Sequence, residues 1–114
     1  MTLKEFNEKF LMHDSVIEHI ERRNGDLLIY CGFCNFMQKS YTEISPANSD
    51  IVLTFRNAVY SITDGFDVND AGFLTQKLCG ESLVFGLENE PGIYGEISIQ
   101  ADSVEIEVIR TYNL

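Results

Sequence analysis

Three groupings in the sequence combine residue types that could do chemistry. Cys31-Gly32-Phe33-Cys34 has the C-x-x-C spacing of redox and zinc sites. A redox pair needs a strand–turn–helix setting that lowers the pKa of the first thiol, yet both cysteines lie inside the apolar run 27–36. A structural zinc site usually needs a second ligand pair. Only Cys79, His13 and His19 remain for one, with no second C-x-x-C. The cysteines therefore read as small packing hydrophobes, reduced and mostly buried.

His13-Asp14-Ser15 holds the three residue types of a hydrolase triad. Triad members converge from separate places in a fold, so adjacent ones read as a turn between a helix and a strand. No catalytic residue is assigned. Asp64, Asp67, Asn69 and Asp70 offer the oxygen ligands calcium takes, but Ala71 and Leu78 fall where an EF-hand loop needs ligands. Turn and capping chemistry accounts for them. No metal and no cofactor is expected, and there is no phosphate-binding glycine pattern or basic patch.

Charge narrows the partners. Eighteen acidic side chains oppose eight basic ones, a net −10. Residues 1–57 carry 8 acids and 6 bases, residues 58–114 carry 10 and 2. Such a field repels phosphate backbones and anionic lipid, so neither nucleic acid nor membrane is an expected partner, whereas a basic protein is attracted. The plainer role of that charge is solubility. Lys4, Glu5, Glu8 and Lys9 interrupt any signal-peptide core, and no apolar run approaches the ~20 residues of a membrane span. A cytoplasmic location is expected.

These residues must be positioned by a mainly β chain. At 114 residues, 45% of them apolar, one domain spanning 1–114 is expected. Thr2 with Glu5 forms a capping box, and Leu3, Phe6, Phe10 and Leu11 share a helical face ending near Met12. Residues 16–23 fit either a helix capped by Ser15 or a strand. The strand is favoured because Asn24-Gly25 is a strong hairpin signal, and the opposite parity of Ile17 and Ile20 calls for a bulge. Residues 27–36 read as a central strand and 38–50 as a loop. A hairpin turning at Asn57-Ala58 would pair Phe55 with Tyr60 and Leu53 with Ile62. Residues 64–69 form an acidic loop, and 70–79 read as a second short helix closed by Gly80. Strands at 82–88, 93–100 and 103–110 follow, the first two joined through residues 89–92. The expected fold class is α+β, mainly an antiparallel sheet of hairpins in a sandwich or roll, with two helices.

The last hairpin gives the sharpest functional expectation. A turn at Ala101-Asp102 would pair Ile99 with Val104 and Ile97 with Ile106, leaving Glu96 opposite Glu107 with Glu105 diagonal. Opposed like charges cost stability, so this face is a candidate docking surface for a cation. The candidate partner-binding residues are Glu96, Glu105, Glu107, Asp64, Asp67 and Asp70.

Leu11-Met-His-Asp-Ser-Val-Ile17, following an amphipathic helix and preceding hairpins, resembles small uncharacterised bacterial proteins with an LHDS-x-[IV] motif leading into the first strand. Some of those resemble immunity proteins of toxin–immunity loci. The resemblance covers about residues 6–34, with Met12 between the Leu and the His, and transfers no functional residue. The leading expectation is a non-enzymatic acidic binding protein, an immunity-type inhibitor of a basic toxin. One alternative is a small enzyme or metal-dependent hydrolase using His13, Asp14 or the 64–70 loop. The other is a homo-oligomeric structural component pairing through a strand edge.

Overall fold

The computed structural model describes residues 1–34, 38 and 48–112. Its elements are α1 (Leu3–Lys9), β1 (Val16–Arg23), β2 (Asp26–Cys34), β3 (Asn48–Arg56), β4 (Val59–Ile62), β5 (Gly72–Cys79), β6 (Ser82–Glu88), β7 (Tyr94–Gln100) and β8 (Ser103–Tyr112). All eight strands join one antiparallel sheet in the order β4-β7-β6-β5-β1-β2-β3-β8.

That order forces the sheet to curl. β3 and β4 stand seventh and first, yet only Asn57 and Ala58 separate them. Flat strands at ~4.8 Å spacing would put them roughly 29 Å apart, and three peptide links reach only about 11 Å. The curl brings β4 over the far strands: the Ala58 N–H donates to Gly25 O at 2.9 Å, and the Arg22 guanidinium lies 5.4 Å from the Tyr60 ring centre. Inside the curl Leu27, Ile29, Leu53, Phe55, Phe73, Phe85, Ile97 and Val104 are fully buried. Phe73 meets Phe85 edge-on at 5.0 Å. α1 packs on β5, β6 and β8 and adds Leu3 and Phe6 to this core.

Several elements form as their residues dictate. Thr2 and Glu5 make the capping box in full. α1 stops at Lys9, because Phe10 turns to extended backbone as its C-cap, and Leu11 is left exposed. Residues 16–23 are a strand, and Asn24 and Gly25 take φ of 52° and 85°, the positive pair a type I′ turn requires. The register of β1 on β2 shifts between Ile17 and His19, the bulge that the parity of Ile17 and Ile20 demands. β2 lies between β1 and β3. Of the loop expected over 38–50, residues 48–50 belong to β3 and 39–47 lie outside the described residues.

Three expectations are corrected. The second helix is absent: residues 72–79 are strand β5. A bulge between Phe73 and Thr75 makes Phe73, Gln76 and Leu78 the inward residues, opposite Leu87, Phe85 and Leu83. This three-then-two step imitates one face of a helix. Gly80, with φ 59°, begins a two-residue turn into β6 rather than ending a helix.

The hairpin across Asn57-Ala58 is also not formed. Phe55 pairs with Leu27 and Val104, while Tyr60 pairs with Ile99 and Ile62 with Ile97. The third correction concerns β7 and β8, which do not pair: β7 sits between β4 and β6, and β8 pairs with β3. Neither connection has the backbone of a tight hairpin. A tight type I′ hairpin needs positive φ at both turn residues, and of Asn57, Ala58, Ala101 and Asp102 only Asn57 has it, at 50°. Each connection instead carries the chain across the curl. Val108, expected in the core, is 56% exposed on the edge strand.

Candidate functional site

The two ends of the sheet differ. At one end the strands join through the pairs Asn24-Gly25, Asn57-Ala58, Gly80-Glu81 and Ala101-Asp102. At the other lie the longer connections 10–15, 63–71 and 89–93. Binding residues concentrate on loops held by a rigid scaffold, and the longer loops here carry Asp64, Asp67, Asp70 and Glu90.

The 63–71 connection is fixed at several points. Phe66 N–H donates to Thr63 O at 3.0 Å, and Asp70, with φ 65°, donates its N–H to Ile17 O at 2.8 Å. Asp67 Oδ1 accepts from the Asn69 N–H at 3.0 Å, a local Asx turn. Asn89, from the β6–β7 turn, donates its side-chain amide to Asp67 O and Asn69 O. Thr63 N–H donates to Glu96 O at 3.1 Å, and Thr63 Oγ1 accepts from Glu96 N–H at 2.9 Å. The Phe66 ring lies directly on Gly95, where a Cβ would collide with it. Val68 and Ala71 are buried beneath.

These ties place Asp64, Asp67 and Asp70 at the same sheet end as Glu88, Glu90 and Glu96. Ion pairs among the described residues are His13–Asp14, Arg23–Glu21, Arg56–Asp26, Arg56–Glu105 and Arg110–Asp50. None of the six carboxylates takes part in one. Beside Glu96 the outer face of β5, β6 and β7 forms a groove of about 410 Å³, lined by Thr63, Leu74, Thr75, Gly86, Tyr94 and Glu96 among others.

Glu105 and Glu107 lie elsewhere, on β8. Glu96 sits beside Gly86 and Glu107 beside Val52, so the expected facing of Glu96 and Glu107 does not occur. Glu105 Oε2 accepts from Arg56 Nη2 at 2.9 Å, and this guanidinium holds its carboxyl below the usual range. Asp26 is likewise lowered, first by the Asn57 N–H at 3.0 Å and then by Arg56 at 2.8 Å. Asp26 and Glu105 are thus neutralised locally by Arg56, whereas Asp102 at the same end accepts only from the Asn57 side-chain amide, at 2.7 Å, among the described residues.

The other groupings resolve plainly. His13 and Asp14 form a turn, with Asp14 at φ 67°; His13 Nδ1 is 3.1 Å from Leu74 O and its Nε2 3.6 Å from Asp14 Oδ1. Ser15 is buried, and its hydroxyl accepts from the Cys34 N–H at 2.9 Å. The serine is a structural cap on β2. Cys31 and Cys34, three apart on one strand, point to opposite faces. Cys31 is buried, which pushes its thiol pKa up, and Cys34 is half-buried. Cys79 is exposed, contrary to the expectation of burial, because odd residues of β5 after the bulge face outward. Among the described residues no group of three or more His, Cys, Asp or Glu could hold a metal, and no helix is long and apolar enough to cross a membrane.

Glu88, Glu90, Tyr94 and Leu74 escaped the reading of the sequence. The dense acids of 88–90 were the available signal; the outward bulge at Leu74 left none. No family model, curated protein or solved structure matches the chain, so the site rests on its own geometry.

Proposed function

We propose that this chain is a non-enzymatic binding protein of the cytoplasm that docks its acidic loop end on a basic protein, as an immunity-type inhibitor docks on a cationic toxin. One observation carries the reading: Asp64, Asp67, Asp70, Glu88, Glu90 and Glu96 share one end of the sheet and none enters an ion pair among the described residues. Concentrated like charge destabilises a fold through self-repulsion and speeds encounter with an opposite charge. At the opposite end Glu21, Asp26 and Glu105 are paired with arginines, while Glu81 and Asp102 stand outside any ion pair among the described residues, so the loop end differs in how many such acids it gathers. In this reading the curled sheet is a roll whose tight-turn end is structural and whose loop end binds.

The test is capture. The immobilised chain is exposed to an extract of its native host at low ionic strength and eluted with rising salt. A basic protein released as salt screens the contact is the expected result. Retention of neutral or acidic proteins, insensitive to salt, refutes the reading.

A second reading has one observation behind it. Among the described residues the outer edge of β8 pairs only with Met1, at Val104, while Val108 and Ile109 stand exposed. Pairing of two chains along that edge would make a homo-oligomer. Glu105 and Glu107 on the same strand oppose it, and sedimentation at several concentrations decides.

A further inference from the structure

We propose that the groove beside Glu96 receives one arginine side chain of the basic partner, its aliphatic stem along Leu74 and Thr75 and its guanidinium between the Tyr94 ring and the Glu96 carboxylate. This rests on the docking reading above and names what the partner must present.

The groove exists because of a missing side chain. Glu96 pairs with Gly86 on β6, and Gly86 pairs with Thr75 on β5. All three lie on the outer face, so the carboxylate of Glu96 borders a position with no side chain. A Cβ at this position would meet Thr75 Oγ1 and force the hydroxyl to turn away. The bulge at Leu74 turns an apolar side chain outward at one wall, 36% exposed, and Tyr94 forms another wall at 64%.

Tyr94 and Glu96 are two residues apart on one strand and project from the same face, about 7 Å apart. That separation suits a planar guanidinium. It stacks on a ring with one face while its edge donates two parallel hydrogen bonds to a carboxylate. A lysine ammonium could meet the charge but not the stacked geometry. Among the described residues no cation pairs with Glu96: Lys77 stands on the same outer face of β5, opposite Val84, and forms no ion pair with it. Leu74 gives the methylene stem an apolar surface to cover.

The experiment is an NMR titration of the intact, isotope-labelled chain with N-acetyl-arginine methylamide. Its neutral isostere, N-acetyl-citrulline methylamide, serves as the control. Arginine is expected to shift the amides of Thr63, Thr75, Gly86, Tyr94 and Glu96 while citrulline leaves them in place. Glu96→Gln and Tyr94→Leu should each weaken the arginine probe about fivefold, the loss of one charge-assisted or cation–π contact. Shifts spread evenly over 64–70 and 88–90, equal binding of citrulline, or unchanged affinity in Glu96→Gln overturn the groove. The two readings separate cleanly. A captured basic partner that binds both variants as well as the native chain removes the groove and leaves the docking surface. A chain that binds the arginine probe but captures no basic protein removes the docking reading.

Discussion

Gly95→Ala tests how the acidic loop is held. Gly95 lies on β7 beside Glu96 and opposite Leu87, with backbone torsions open to any residue. An added Cβ would collide with Phe66 Cγ and lie 2.6 and 2.8 Å from Cδ1 and Cδ2. The Cβ is fixed by the strand, so the ring must leave. Phe66 is partly buried against the core, and losing on the order of 100 Å² of apolar contact at ~25 cal/mol per Å² costs about 2.5 kcal/mol. Replacing a strand glycine by alanine returns about 0.5–1 kcal/mol. The net loss is about 1.5–2 kcal/mol. In a Phe66→Ala background the ring is already gone, and Gly95→Ala should then stabilise by about 0.5–1 kcal/mol. Urea denaturation of the native chain, both single variants and the double variant measures this sign reversal. Effects that add to within about 0.5 kcal/mol would refute the seating of Phe66 on Gly95.

Leu53→Ala should cost about 2–5 kcal/mol in the same assay, because the side chain is fully buried inside the curl; a loss below about 0.5 kcal/mol would place it outside the core. Cys79 should react with a thiol reagent at once in the native protein and Cys31 only on unfolding, since one is exposed and the other buried; equal rates would contradict that placement. Glu18→Gln should raise the melting temperature slightly at pH 7. Glu18 is exposed, and partial desolvation and then the neighbouring Asp50 push its carboxyl pKa up, so the fold favours its protonated form. That group therefore costs stability as pH rises above its ordinary value of about 4.3 and costs nothing well below it. A difference that grows on acidification would reverse the assignment.

The strands were mostly legible, and their neighbours were not. Asn24-Gly25 announced its hairpin because two positive φ values belong to that dipeptide's chemistry. Asn57-Ala58 and Ala101-Asp102 join strands over equally short spans, but nothing local says that the chain crosses to the far edge of the sheet. That choice is made by the curl, a property of all eight strands together. Alternation in 97–108 identified Ile97, Ile99 and Val104 as core residues whichever strand they paired with, while the opposition of Glu96 to Glu107 depended on the pairing and failed with it. Residues 70–79 read as a helix because Gly80 looked like its end, and the bulge at Leu74 removed the strict alternation that would have marked β5 as a strand. Of the candidate site, Asp64, Asp67, Asp70 and Glu96 were visible as acids in the more charged half. Their gathering at one end, and the separation of Glu105 and Glu107 from them, required the topology.

The most direct test of the docking claim compares two variants of equal charge. Asp64→Asn, Asp67→Asn and Glu90→Gln remove charge from the loop end; Glu81→Gln, Glu105→Gln and Glu107→Gln remove the same charge from elsewhere. The association rate of the captured basic partner is measured for both, at low and high salt. The account predicts that the loop-end variant associates more slowly and loses its salt dependence, while the other tracks the native chain. Equal behaviour of the two would show that only net charge matters and would contradict a docking surface at the loop end.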